Sequence, residues 1–236
     1  MKALRLHRWN VTPREAARIQ LRLRERLELA DRLPPRIAAV AGADIALDLR
    51  RREAIAGVVV FRFPEMVEIE RVAARSRVAF PYVPGLLSFR EIPALLKAFA
   101  RLRHAPDLIF CDAHGYAHPR RFGLACHLGV LLDRPTIGCA KSILVGEARK
   151  FSMRAGAWTP LEDKGEVIGA ALRTRAGVKP VYISQGHRIS LARTIEFARA
   201  VCGPFRIPRP TREADIFVET VKREGKQAAR RKGSPK

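Results

Sequence analysis

The chain is poor in cysteine, with Cys111, Cys126, Cys139 and Cys202 as its four thiols in 236 residues. No two are spaced as C-x-x-C, which argues against a zinc site or a redox dithiol. Unpaired, reduced thiols fit a cytoplasmic protein. No apolar run is long enough to span a bilayer. The opening MKALRLHRWN lacks the apolar core of a secretory signal, and the expected location is the cytoplasm. Acids are scarce too: 23 Asp and Glu face 45 Lys and Arg, a net charge of +22. Such charge belongs on the surface, because unpaired charges are rarely buried. It attracts polyanions, nucleic acid first among them. A generally arginine-rich composition would give the same charge without a functional reason. Hydrophobic residues make up 47% of the chain, so it is no disordered basic tail and can bury one core.

Thr12 and Pro13 read as a helix cap and first-turn proline, followed by a charged helix from Arg14 to Leu33 that Pro34-Pro35 stops. Segments 37–49, 54–63 and 67–80 read as three strands of an antiparallel meander, the last alternating apolar and charged residues. PYVPG at 81–85 cannot be regular structure. A helix is expected over 92–102, a fully apolar and therefore central strand over 108–111, a helix over 120–132 and a strand over 136–140. Strands follow at 167–173 and 180–184, then a helix from the Ser190 cap to Val201 and a last helix capped by Thr211. Residues 222–236 read as a basic, disordered tail behind a single domain over 1–221. Three strands, a helix, then alternating strand and helix predict an α/β fold: a mixed sheet flanked by helices.

Sites in open α/β sheets form at the carboxyl ends of strands. Asp112 ends the apolar strand LIFC, where it is either a site carboxylate or an ordinary loop cap. Asp44 interrupts the apolar run AVAGADIAL. It must be paired, hydrogen-bonded or metal-bound there, unless alternation turns it to solvent. Glu91 opens the helix after the proline segment, either as a site acid or as a first-turn acid favoured by the helix dipole. Lys141 follows the strand TIGCA as Asp112 follows LIFC. Three carboxylates and a lysine converging at one sheet edge suit Mg2+, which wants hard oxygen ligands and serves phosphodiester hydrolysis. Mn2+ accepts the same ligands.

Together, AGAD at 41–44, FPYVPGLLSFRE at 80–91, DLIFCDAHGYAHPRRFGLACHLG at 107–129, PTIGCAKSIL at 135–144, GHRISL at 186–191 and PTREAD at 210–215 make the chain resemble the endonuclease V family over nearly its whole length. The resemblance implies a ribonuclease H-like fold. It implies a DNA-repair endonuclease that recognises deaminated purines (inosine) and hydrolyses the second phosphodiester bond 3′ to the lesion, leaving 3′-hydroxyl and 5′-phosphate ends. It places the metal acids on Asp44, Glu91 and Asp112, a catalytic lysine on Lys141 and an active-site histidine on His118. It makes Pro81, Tyr82, Val83 and Pro84 a strand-separating wedge with Tyr82 as the intruding ring, and two flanking prolines would stiffen such a wedge. A flipped base needs a snug pocket, and the resemblance places it on Gly85, Leu87, Gly115, Leu124, Gly138 and Leu144. Ala113 and His114 depart from the glycine and glutamine usual in the family, and both touch that pocket wall. Arg90, Arg120, Arg121 and Arg188 are candidates for phosphate contacts, which position nucleic acid without reading it. The expected partner is damaged DNA, with inosine-containing RNA as the alternative, bound by a monomer.

Overall fold

A computed structural model describes the backbone of residues 1–232. The chain folds as a nine-stranded sheet in the order β3-β2-β1-β4-β5-β9-β8-β7-β6. The expected meander is there: β1 (Ala39–Asp48), β2 (Glu53–Arg62) and β3 (Val67–Arg77) pair antiparallel. The all-apolar strand β4 (Leu108–Cys111) and the buried strand β5 (Thr136–Ala140) continue the sheet in parallel from β1. This mixed sheet, flanked by helices in one domain, is ribonuclease H-like.

Alternation along the central strands sends side chains to two layers. Ala41, Ala43, Ile109 and Cys111 pack under α2 (Leu87–Phe99) and α3 (Leu124–Leu132) on one face. Val40, Leu108, Phe110, Ile137 and Cys139 pack on the other face, where α4 (Leu191–Cys202) contributes Phe197 and Val201 and α5 (Arg209–Lys232) contributes Ala214. Strands β1 and β4 are thus covered on both sides, which explains their nearly unbroken apolar runs. The remaining strands are β6 (Glu147–Ala148), β7 (Trp158–Asp163), β8 (Glu166–Leu172) and β9 (Val181–His187). Among the described residues, no helix is long and apolar enough to cross a membrane.

Several boundaries differ from the sequence reading. The first helix, α1 (Pro13–Arg24), carries the expected Thr12 cap with Glu15 completing a capping box, but it ends at Arg24 instead of Leu33. Beyond it, the Glu28 carbonyl accepts from the Arg188 N–H at 2.6 Å and the Arg32 N–H donates to the Arg188 carbonyl at 3.0 Å, so tertiary backbone pairing replaces helical bonds. Helix α2 starts five residues early, at Leu87. Burial of Phe89, Ile92, Leu95 and Phe99 along it outweighs the hydrogen bond lost at Pro93. Glu91 consequently sits beyond the first turn, and the dipole explanation for it falls. Helix α3 begins only at Leu124, because Arg121 has φ of +54°. Ser190 caps α4 as expected, its hydroxyl accepting from the Arg193 N–H at 3.3 Å. Thr211 lies inside α5 instead of capping it, its hydroxyl donating back to the Pro208 carbonyl at 3.0 Å. The segment read as a disordered tail from Lys222 continues this helix to Lys232, and 233–236 lie outside the described residues. Strands β6 and β7 escaped the sequence reading because Pro160 and a charged edge obscure their period.

Candidate metal and nucleic-acid site

The register of three parallel strands assembles the acids. Ala43 of β1 lies opposite Cys111 of β4, which lies opposite Gly138 of β5. The next residues in the first two strands are Asp44 and Asp112, and the Asp112 N–H donates to the Ala43 carbonyl at 3.2 Å. Both carboxylates follow Gly42 and Phe110 by two residues, so both point to the α5 face. Lys141 stands two residues beyond Cys139 and points the same way.

Helix α5 supplies a third carboxylate. Gly42 allows the approach: a Cβ there would lie 1.8 Å from the Pro210 carbonyl oxygen at the start of α5. With the helix this close, Asp44, Asp112 and Asp215 each offer an oxygen within 4.8 Å of one another. Asp215 was not among the acids picked from sequence. Its only signal there was its place at the end of the PTREAD motif, since an acid on an amphipathic helix is otherwise unremarkable. The Lys141 ammonium lies 2.6 Å from Asp112 and 3.4 Å from Asp215.

Electrostatics set this cluster apart. Burial, then the Asp112 carboxylate, push Asp44 up to about 8. Burial raises Asp112 as well, against the opposing pull of Lys141. Burial works against the Lys141 charge, but its hydrogen bond to Asp112 and the surrounding carboxylates outweigh that and hold its pKa above the ordinary value. Glu91, on α2, is not part of the three-acid group. Burial lifts it to about 8, opposed by Arg90 and assisted by the Asp112 charge. Like charges crowded in a low-dielectric corner cost free energy unless protons or a cation neutralise them. The donors are all carboxylate oxygens, the set a hard divalent cation takes.

Beside the acids lies a cavity of about 200 Å3. Ala113 and His114, directly after Asp112, form part of its wall, and Leu144 of the Lys141 loop forms another. The His114 Nε2 meets the Ser142 carbonyl at 3.0 Å and so ties those two segments together. Of the six residues expected around a base, Gly85, Leu87, Leu124 and Leu144 line the cavity. Gly115 and Gly138 do not. They pack against each other behind the wall, where a Cβ on Gly138 would lie 2.3 Å from the Gly115 nitrogen. Gln20, Ser88 and Gly123, unforeseen, line it as well.

The proline segment forms the cavity's rim. Tyr82 is 69% exposed, with the Arg90 guanidinium 5.8 Å from its ring centroid. The segment ends on Gly85, whose φ of +75° favours glycine. The Gly85 carbonyl accepts from Gln20 at 3.1 Å and from Arg120 at 2.6 Å. It also accepts from His118 Nε2 at 3.0 Å. The Arg120 N–H donates to His118 Nδ1 at 3.1 Å, so the ring is the neutral Nε2–H tautomer. Burial, then the Arg120 charge, lowers its pKa to about 4. His118 therefore lines the cavity and anchors the rim, apart from the carboxylate group.

The four arginines marked for phosphate differ in availability. Arg121 is buried and paired with Asp163 at 2.8 Å and Glu166 at 2.7 Å. Arg188 pairs with Asp133 at 2.8 Å and with Glu28 at 3.8 Å. Arg120 is turned inward onto Gln20 and Gly85. Sequence does not show which acids or carbonyls the fold brings to a guanidinium. Among the described residues neither Arg90 nor Arg120 has an ion-pair partner, but the Arg120 guanidinium is taken up by Gln20 and Gly85, whereas the Arg90 Nε is buried with no hydrogen-bond partner.

Comparison with known proteins places this geometry in a family. The sequence model described as endonuclease V matches residues 21–216. Endonuclease V of Roseiflexus castenholzii is 51% identical over 218 residues, covering 92% of this chain and 97% of that protein. The crystal structure of endonuclease V from Streptomyces avermitilis superimposes with a TM-score of 0.88 at 41% identity, over 92% of this chain and 96% of that one. Ciona intestinalis endonuclease V, in complex with a 24mer DNA containing an inosine followed by a ribo-adenosine, superimposes with a TM-score of 0.78 at 25% identity, over 89% and 98% of the two chains.

Proposed function

The chain belongs to the endonuclease V family, and from that premise we propose that it is a metal-dependent DNA-repair endonuclease that finds deaminated purines, inosine above all. It would hydrolyse the second phosphodiester bond 3′ to the lesion and leave 3′-hydroxyl and 5′-phosphate ends. One observation carries the reading: carboxylates of Asp44, Asp112 and Asp215 meet beside the Lys141 ammonium, against a cavity rimmed by an exposed tyrosine. A wholly non-catalytic DNA-binding protein would have no reason to crowd half-buried acids toward its polyanionic partner.

Asp44, Asp112 and Asp215 are suited to hold Mg2+ or Mn2+, and Glu91 on α2, which feels the Asp112 charge, would add a fourth acid to the site. When bound, such an ion lowers the pKa of water and offsets charge building on the phosphate. The protein's own part is positional and electrostatic. Lys141 is held between Asp112 and Asp215, with its charge set to meet a nonbridging phosphate oxygen. Asp44 and Glu91 carry protons near neutral pH, and loading the site displaces them. Tyr82 enters the base stack on a rim fixed by Gln20, His118 and Arg120 at Gly85, so little conformational freedom is lost on insertion. The extruded base enters the cavity. Ala113 and His114 join the cavity to Asp112, which supports a cut close to the recognised base.

The test is a labelled duplex carrying one inosine, incubated with Mg2+. A nick at the second bond 3′ to the inosine, absent with EDTA and absent with Asp112→Asn, is the expected result. Equal cutting of an undamaged duplex would overturn the lesion specificity, and no cutting at all would overturn the nuclease reading.

A further inference from the structure

Tyr82 is a wall shared by two hollows. One is the cavity beside the carboxylates. The other is a groove of about 210 Å3 that shares no lining residue with the first except Tyr82 and is bounded by Leu49, Arg52, Val78, Pro81, Tyr82 and Arg90. No carboxylate lines it.

Neither of its two arginines, Arg52 and Arg90, has an ion-pair partner among the described residues. Arg52 lies in the turn between β1 and β2, at a φ of +52°. Its backbone is fixed at both ends: its N–H donates to Leu49 at 3.3 Å and its carbonyl accepts from the Val78 N–H at 2.8 Å. Among the described residues its guanidinium has no ion pair and no hydrogen bond, and neither has that of Arg50. Arg90 stacks on Tyr82, and its Nε is buried with no hydrogen-bond partner. A buried donor left unmade is costly, and a phosphate oxygen is the acceptor that would satisfy both the donor and the charge.

We infer that this groove binds the sugar-phosphate backbone of the strand opposite the lesion. The inference rests on the nuclease reading for which strand lies where. The strand that gives up its base runs past the carboxylates on one side of the Tyr82 ring. Once the ring separates the pair, the complementary strand must leave on the other side, where Arg52 and Arg90 wait. Phosphate contacts of this kind add affinity without base selectivity. The groove therefore makes the enzyme prefer duplex over single-stranded substrate.

The experiment measures binding by fluorescence anisotropy, in Mg2+, of inosine-containing duplex and of the matching single strand. The protein carries Asp112→Asn so that nothing is cut. Arg52→Asn is the main variant, since asparagine tolerates positive φ. Arg52→Lys restores the charge. Arg175→Asn, on the loop after β8, removes the same charge far from the groove. Arg52→Asn is expected to weaken duplex binding about tenfold and to lower the slope of log Kd against log salt by about one. Single-strand binding should change less than twofold. Arg52→Lys should recover most of the duplex affinity. Equal weakening on both substrates, an unchanged duplex Kd, or the same loss with Arg175→Asn would each overturn the inference. A parallel cleavage assay with unmutated protein separates the two readings: absence of cutting there defeats the nuclease, whereas the strand comparison still decides whether the groove takes a second strand.

Discussion

Asp44→Asn should make the metal-free protein more stable while abolishing its nicking. In the folded chain the Asp44 carboxyl is pushed from the ordinary 3.8 to about 8 by burial and by Asp112. An unfolded chain releases this proton near pH 4, and the folded chain holds it until about pH 8. The folded state therefore binds more protons between those values, and its stability falls as pH rises through them. At about 1.36 kcal/mol for each pKa unit, the penalty at pH ~7.5 is at most ~5 kcal/mol. Relaxation of the surroundings and entry of water would recover roughly half of that. Asparagine keeps the shape and the acceptor oxygen without the charge. In EDTA at pH ~7.5, Asp44→Asn should thus gain ~2–3 kcal/mol, which at ~2–4 °C per kcal/mol for a chain of this size raises Tm by ~4–12 °C. The gain should shrink as pH falls toward 5. Saturating Mg2+ should stabilise the unmutated protein and leave the variant unmoved. Thermal unfolding with and without Mg2+ at several pH values measures all of this. A variant that is less stable than the parent in EDTA at pH ~7.5 would refute the claim that Asp44 sits among uncompensated acids.

Asp215→Asn should leave Tm within a few degrees but lower nicking at least ~10–100-fold and raise the Mg2+ needed for half-maximal rate; an unchanged Mg2+ requirement would exclude Asp215 from the site. Gly42→Ala should push Pro210 and α5 off β1, since its Cβ would lie 1.8 Å from the Pro210 oxygen. That overpacking should cost about 3 kcal/mol in urea unfolding and remove nicking with it. Tyr82→Ala should not alter stability, because the ring is 69% exposed. It should cut duplex nicking ~10–100-fold, the scale of one lost base–aromatic stack, and a rate equal to the parent's would end the wedge assignment.

Much of this was legible from order and pattern alone. Strands 108–111 and 136–140 were read to the residue, because a strand buried on both faces is a nearly continuous apolar run. Asp112 and Lys141 stood out as the polar residues ending them. Asp44 stood out as a charge inside an apolar run, and the motifs around all three indicated the family. What the sequence could not carry was distance between segments. Asp215 is an ordinary acid on an amphipathic helix until Gly42 lets α5 settle onto β1. Arg120, Arg121 and Arg188 look like free cations until the fold delivers Gly85, Asp163 with Glu166, and Asp133 to them. Gly115 and Gly138 look like pocket glycines until their backbones are seen pressed together. Local rules govern what a residue does to its own helix or strand, and those the chain dictates by itself. Which charges meet is settled by strand register and helix docking, through contacts between residues far apart along the chain, and only the tertiary structure decides those.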